Sequence, residues 1–235
     1  MANAGDEQNR SRRSFRTRAG RAGGEEAHRR RRLAMVDEQI KERGVVDPRV
    51  ITAMAAVPRH RFVPEPLTNQ AYADHPLPIA ASQTISQPYM VALMAEAAEI
   101  SPSDHVLEVG AGSGYGAAVL SELAAEVVTV ERHRNLADAA TELLAELGHD
   151  NVTVVKADGS LGCPSRAPYA AVVVTAASET IPAPLIEQLA DGGRLIIPLG
   201  SLGEVQHLTR LRRNGDQTST ETLGWVRFVP LIEDR

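Results

Sequence analysis

The chain has 235 residues, 43% hydrophobic, 23% charged and 3% aromatic, with one cysteine and a formal net charge of −5. A single cysteine, Cys163, excludes an internal disulfide framework and a thiolate zinc cluster, and no apolar run reaches the roughly 18–20 residues of a membrane-spanning helix. The N-terminal charges are not followed by an apolar stretch, so no secretory signal is expected, and composition points to a cytoplasmic globular protein of one domain with an appendage.

The charge is unevenly placed. Residues 1–33 hold ten arginines against four acids, a balance of +6 that leaves −11 for the rest. A basic arm on an acidic body suits nucleic acid or an anionic surface. Only Lys41 and Lys156 are lysines, however, against 23 arginines. Arginine richness is therefore a property of the whole composition, and no nucleic-acid partner is expected. Residues 1–34 read as a disordered Arg-rich extension, and a folded domain is expected over 35–235, where a helical pattern begins at Met35.

Residues 35–43 predict a short helix. Asp47 and Pro48 read as an N-cap and first helical position, with the helix running through Val50, Ile51, Met54 and Val57 to Pro58. Six prolines between positions 58 and 88 preclude long regular elements. Loops of that length usually carry function, and this one holds Ser82, Gln83, Thr84, Ser86 and Gln87. A helix is expected over 88–99, with Pro88 in its first turn. On sequence alone Ser86 also reads as a cap for that helix.

Strand and helix patterns then alternate: strand 105–109, a glycine-rich turn and helix to Ala124, strand 127–131, helix 134–147, strand 152–156 and strand 170–175. Helix 182–190, ending at Asp191-Gly192-Gly193, and strand 194–199 follow. Such alternation predicts parallel βαβ units, and the near-continuous aliphatic strands predict a sheet covered on both faces. Residues 204–213 and 219–229 flank Asn214-Gly215 and predict an antiparallel edge hairpin.

The turn Gly110-Ala111-Gly112-Ser113-Gly114-Tyr115-Gly116 carries the strongest signal. Glycine lets backbone turn tightly and lets a ligand approach, and the carboxyl end of the first strand is where open α/β sheets bind ligands. Glu131, about 20 residues on at the end of the next strand, is placed to hydrogen-bond ribose hydroxyls. A ribose-containing cofactor follows. Gly112-x-Gly114-x-x-Ala117 fits a dinucleotide, whereas Glu108 would repel pyrophosphate and suit the sulfonium and amino group of S-adenosylmethionine. Asp158-Gly159, ending the third strand, is placed to meet an adenine edge and is equally an ordinary turn dipeptide. There is no phosphate-loop motif, the histidines lack metal-ligand spacing, and Cys163 has no nearby base.

Several segments together resemble the protein-L-isoaspartate O-methyltransferases: VPRHRFVP (57–64), LPI (77–79), QTISQPYM (83–90), LEVGAGSGY (107–115), VTVER (128–132), DNVTVVKADG (150–159), GGRLIIPLG (192–200) and VRFVPLI (226–232). The resemblance spans about residues 35–232 in unbroken order. It implies a Rossmann-like class I methyltransferase fold, with residues 35–88 on the substrate side, 89–200 as cofactor-binding core and 201–235 as the edge hairpin. It implies methyl transfer from S-adenosylmethionine to the free α-carboxylate of L-isoaspartyl residues in proteins or peptides, initiating repair through a succinimide, by a monomer without metal. Ser86 maps to the active-site serine, and Thr84, Ile85 and Gln87 fall on the substrate. The cofactor set is Glu108, Gly110, Ala111, Gly112, Ser113, Gly114, Glu131, Arg132, Asp158 and Gly159. The family usually has a glycine-rich PIGxGQTIS segment, where this chain has Ala80-Ala81-Ser82. Two rivals remain at this point: a relative that methylates an ordinary aspartate in one peptide partner, and a weakly active binding module with a nucleic-acid-binding arm.

Overall fold

The structure is a computed structural model that describes residues 24–201 and 203–232. The first 23 residues of the Arg-rich extension lie outside the described residues. Residues 24–34, expected within that extension, are instead helical: α1 covers residues 24–35 and runs into a π-turn at Val36–Ile40 and a 3₁₀ turn at Lys41–Arg43. The reason is helical spacing hidden by charge. His28, Arg32 and Val36 recur every four residues and share one face. His28 stacks on His60 at 4.0 Å, Arg32 Nε donates to Ala55 O at 2.6 Å, and Val36 joins the core.

Helix α2 (Pro48–Ala56) starts as expected, with Asp47 accepting from the Arg49 amide. The proline-rich segment contains 3₁₀ turns at Arg59–Phe62 and Glu65–Gln70, and the two-residue strands β1 (Leu77–Pro78) and β2 (Thr84–Ile85), paired antiparallel. Helix α3 (Pro88–Ala97) leads to the central units: β3 (His105–Val109), α4 (Tyr115–Ser121), β4 (Glu126–Glu131), α5 (Arg134–Glu146), β5 (Val152–Lys156), β6 (Tyr169–Val174), α6 (Ala183–Glu187), β7 (Leu189–Leu199), β8 (Gln206–Asn214) and β9 (Gln217–Val226).

The seven strands lie in the order β5-β4-β3-β6-β7-β8-β9. The first five are parallel, and β8 and β9 add an antiparallel edge. Alternate side chains feed two cores: Val106, Val127 and Val173 face one layer, and Leu107, Val128 and Val172 the other. This is why the strands read as unbroken aliphatic runs. The chain leaves β3 toward β4 and β5, then returns to β6 on its other side. The switch point between β3 and β6 opens a crevice at the strands' carboxyl ends.

One boundary differs from expectation. Asp191-Gly192-Gly193 lies inside β7 and does not end a long helix, and α6 is correspondingly short. Tyr169 pairs with Leu189 but Ala171 with Arg194, so residues 190–193 form a bulge, with Gly192 at φ +75°. The dipeptide signal was a bulge glycine, which looks the same as a helix-ending glycine in sequence.

Candidate active site

A cavity of about 880 Å³ occupies this crevice. Its floor is the turn after β3. Gly110 and Gly112 have φ of +98° and +54°, and a Cβ on Gly110 would collide with Thr175 Oγ1. Thr175, just past β6, donates to Val109 O at 3.0 Å and to Gly110 O at 2.8 Å, which fixes the turn.

Two acids stand beneath the turn. Glu131 closes β4, with Oε2 accepting from the Gly112 amide at 2.9 Å and Oε1 from the His133 amide at 2.8 Å. Glu108, 1% exposed, accepts from Thr129 Oγ1 at 2.5 Å. Burial pushes its pKa up to about 8; the Thr129 hydrogen bond lowers it and the charge on Glu131 raises it further. Gly116 is required beside it, because a Cβ there would strike Glu108 Oε1.

The opposite wall is the segment from β2 to α3. Thr84, Ile85, Ser86 and Gln87 all face the cavity. Gln87, not Ser86, is the N-cap residue of α3, and no side chain caps that helix. The capping reading of Ser86 is thereby removed. Thr84 lies on β2, and neither its hydroxyl nor that of Ser86 hydrogen-bonds to another described residue.

Twelve of the fourteen sequence-predicted site residues (Ser86, Thr84, Ile85, Gln87, Glu108, Gly110, Ala111, Gly112, Ser113, Glu131, Arg132 and Gly159) line this one cavity. Gly114 and Asp158 do not. Gly114, at φ +88°, caps α4 and turns toward Ala140 and Leu144 of α5, where a Cβ would sit 3.3 Å from Ala140 Cβ. Asp158 accepts from the Ser160 amide at 2.9 Å and its hydroxyl at 2.8 Å, capping the turn Gly159–Leu161. Both residue types serve turns as readily as ligands, and each has turn or packing partners here.

Sequence reasoning missed Thr175, Arg43, Tyr89 and most of the C-terminal strip. Thr175 shares with Gly110 the one available signal, a place at the carboxyl end of a parallel strand. Arg43 lies over the Tyr89 ring at 3.5 Å and pairs with Asp74, a long-range arrangement without a local signature. The strip after β9 is tied across the site by Ala177 N to Val229 O at 2.8 Å, Leu231 N to Ala177 O at 2.7 Å and Arg132 Nη1 to Ile232 O at 3.0 Å.

A glycine turn on β3, a buried acid ending β4 and a cavity at the switch point, on a sheet with an antiparallel edge, define a Rossmann-like α/β protein with a site for a ribose-bearing cofactor. The family model described as protein-L-isoaspartate(D-aspartate) O-methyltransferase (PCMT) matches residues 30–235. The chain is 55% identical over 201 residues to the protein-L-isoaspartate O-methyltransferase of Methanoregula boonei, covering 86% of this chain and 92% of that one. It is 57% identical over 201 residues to that of a Roseiflexus species, covering 86% and 91%. Among solved structures, a protein-L-isoaspartate O-methyltransferase superposes with TM-score 0.76 at 30% identity, covering 86% of this chain and 65% of that chain. A Plasmodium falciparum structure of the same description, in complex with S-adenosyl-L-homocysteine, superposes with TM-score 0.75 at 24% identity, covering 86% and 99%. The chain belongs to the protein-L-isoaspartate O-methyltransferase family. That membership decides the cofactor question the glycine turn left open in favour of S-adenosylmethionine.

Proposed function

We propose that this cavity transfers a methyl group from S-adenosylmethionine to the free α-carboxylate of L-isoaspartyl residues in damaged proteins or peptides, beginning their repair through a succinimide. The observation that carries the reading is the meeting of two walls. The hydroxyls of Ser86 and Thr84, without hydrogen-bond partners among the described residues, face the same space as the glycine turn and its two acids.

The lining fits the cofactor. Glu131 stands where ribose hydroxyls can be held, and Glu108, whose pKa burial raises to about 8, is an acid that a cationic ligand would favour in its ionised form and that pyrophosphate would not. Gly110, Ala111, Gly112 and Ser113 offer backbone at close range, with Arg132 and Gly159 alongside. S-Adenosylmethionine supplies the electrophilic methyl group.

The acceptor needs little activation. An α-carboxylate is ionised at neutral pH, so no strong general base is required. What the chain must provide is orientation and exclusion of water. Ser86 and Thr84 donate to the carboxylate, Ile85 and Gln87 shape its surroundings, and the 76–88 segment covers it. This unit works as a monomer in the cytoplasm. Among the described residues no helix is long and apolar enough to cross a membrane.

The test is transfer of labelled methyl from S-adenosylmethionine to an isoaspartyl peptide and its aspartyl twin. Transfer confined to the isoaspartyl peptide is expected. Transfer to the aspartyl twin alone would replace this reading with that of an enzyme installing the modification on normal aspartate.

A further inference from the structure

Among the described residues, five large apolar side chains are substantially exposed: Val46, Leu161, Val205, Trp225 and Ile232. Three of them, Trp225 at 70%, Val205 at 46% and Ile232 at 44%, line the methyl-transfer cavity. Ile232 lies across the site beside Arg132, whereas Val205 stands two residues before His207, the β8 partner of Trp225, so Val205 and Trp225 are neighbours. Exposed apolar residues scattered singly need no explanation, but a cluster rimming a site marks a binding surface.

The strand that carries Trp225 shows the same localisation. Residues 217–222 of β9 are polar (QTSTET) and exposed, and apolar character appears only where the strand reaches the cavity. The register changes at that point. Thr209 pairs with Thr222 and Leu208 with Gly224, so Leu223 is an extra residue in β9. The bulge shifts every later residue by one place and sets Trp225 opposite His207, whose ring lies 3.8 Å from it, centroid to centroid. Bulges beside active sites commonly re-aim a side chain in this way. One face of the indole is braced by imidazole while the residue as a whole stays open to solvent.

The occupant follows from the reaction. An isoaspartyl residue is part of a polypeptide, and neighbouring residues are about 3.3–3.6 Å apart along an extended chain. When the acceptor enters the cavity, the residues on either side of it must cross the rim. We propose that Trp225 and Val205 form an apolar subsite that takes an aromatic or aliphatic side chain of the substrate polypeptide near the isoaspartyl residue. The proposal rests on the reading that this cavity methylates isoaspartyl chains.

The experiment compares isoaspartyl peptides that carry phenylalanine, leucine or serine at each of the two positions on either side of the acceptor. With the native enzyme, at one of these positions an apolar residue is expected to raise kcat/KM about tenfold over serine, through KM, as befits burial of part of an aromatic face. In Trp225→Ala the apolar and serine peptides are expected to converge. Because the readout is a ratio, a general loss of activity does not imitate it. Equal kcat/KM for all flanks in the native enzyme, or a preference that survives Trp225→Ala, overturns the subsite and leaves isoaspartyl methylation standing. Absence of transfer to any peptide overturns the methylation reading instead. Fluorescence then decides the subsite, since Trp225 is the chain's single tryptophan. With S-adenosylhomocysteine present, the apolar peptide is expected to shift its emission to shorter wavelength and the serine peptide to leave it in place. No shift overturns the subsite, as does a shift driven by protein concentration alone, which would assign the surface to a second copy of the chain.

Discussion

Replacing Glu108 by glutamine keeps the side chain's shape and removes its titration. An ordinary glutamate titrates near 4.5, and burial beneath the glycine turn holds this one at about 8. Between those values the folded chain keeps a proton that the unfolded chain releases, so stability falls as pH rises, by about 1.4 kcal/mol per pH unit. His60 acts in the opposite direction. Burial, and secondarily His28, lower it from 6.5 to about 4. Through that window the unfolded chain binds the extra proton, and stability rises with pH.

The two slopes cancel where they overlap, and above 6.5 Glu108 acts alone until about pH 8. Over that interval the native enzyme is expected to lose about 2 kcal/mol that Glu108→Gln retains. Urea unfolding of both proteins at half-unit steps from pH 6 to 8.5 gives the difference directly, free of contributions they share. A difference that stays flat from 6.5 to 8 would mean that the acid is ionised throughout, and would refute the argument from burial. The same titration governs the cofactor. A cationic ligand favours the ionised acid, so affinity for S-adenosylmethionine should improve up to tenfold per pH unit approaching pH 8 and level off above it, and lose that dependence in Glu108→Gln.

Ser86→Ala should lower kcat by on the order of 10²-fold, the scale of one lost donor to a reacting oxygen. Its unfolding midpoint should stay near native, because no described residue hydrogen-bonds to that hydroxyl; equal losses of activity and stability would reassign the residue to structure. Gly110→Ala should destabilise by about 2–3 kcal/mol in urea, from its positive φ and the collision with Thr175, and weaken cofactor binding in calorimetry. Ala81 and Ser82 both sit at φ +56°. At Ser82, which stands at a glycine position of the family pattern, Ser82→Gly should stabilise by about 0.5–1 kcal/mol, because relief of left-handed strain exceeds the added chain entropy. A destabilised Ser82→Gly would show that the serine side chain compensates its backbone.

The sequence was legible where one local cause determines the structure. The strands are readable because a parallel strand covered on both faces has no polar alternative, as Val106 and Leu107 show by facing different layers. Gly110 is readable because the turn after β3 needs a positive φ whatever surrounds it. Gly114 and Asp158 carry the same residue types in the same kind of turn, yet their roles depend on α5 and on Ser160, and only the folded chain reveals those partners. The helix over residues 24–35 was hidden for a related reason. Its arginines read as solvated charge until Ala55, 23 residues away, accepts a hydrogen bond from Arg32. Trp225 is the limiting case. Its direction depends on the single extra residue at Leu223, and a strict two-residue alternation through β9 would have set Gly224 opposite His207. Where the cavity lies was therefore readable from turns and strand ends, whereas the direction of Trp225 on its rim depends on a register that only strand pairing sets.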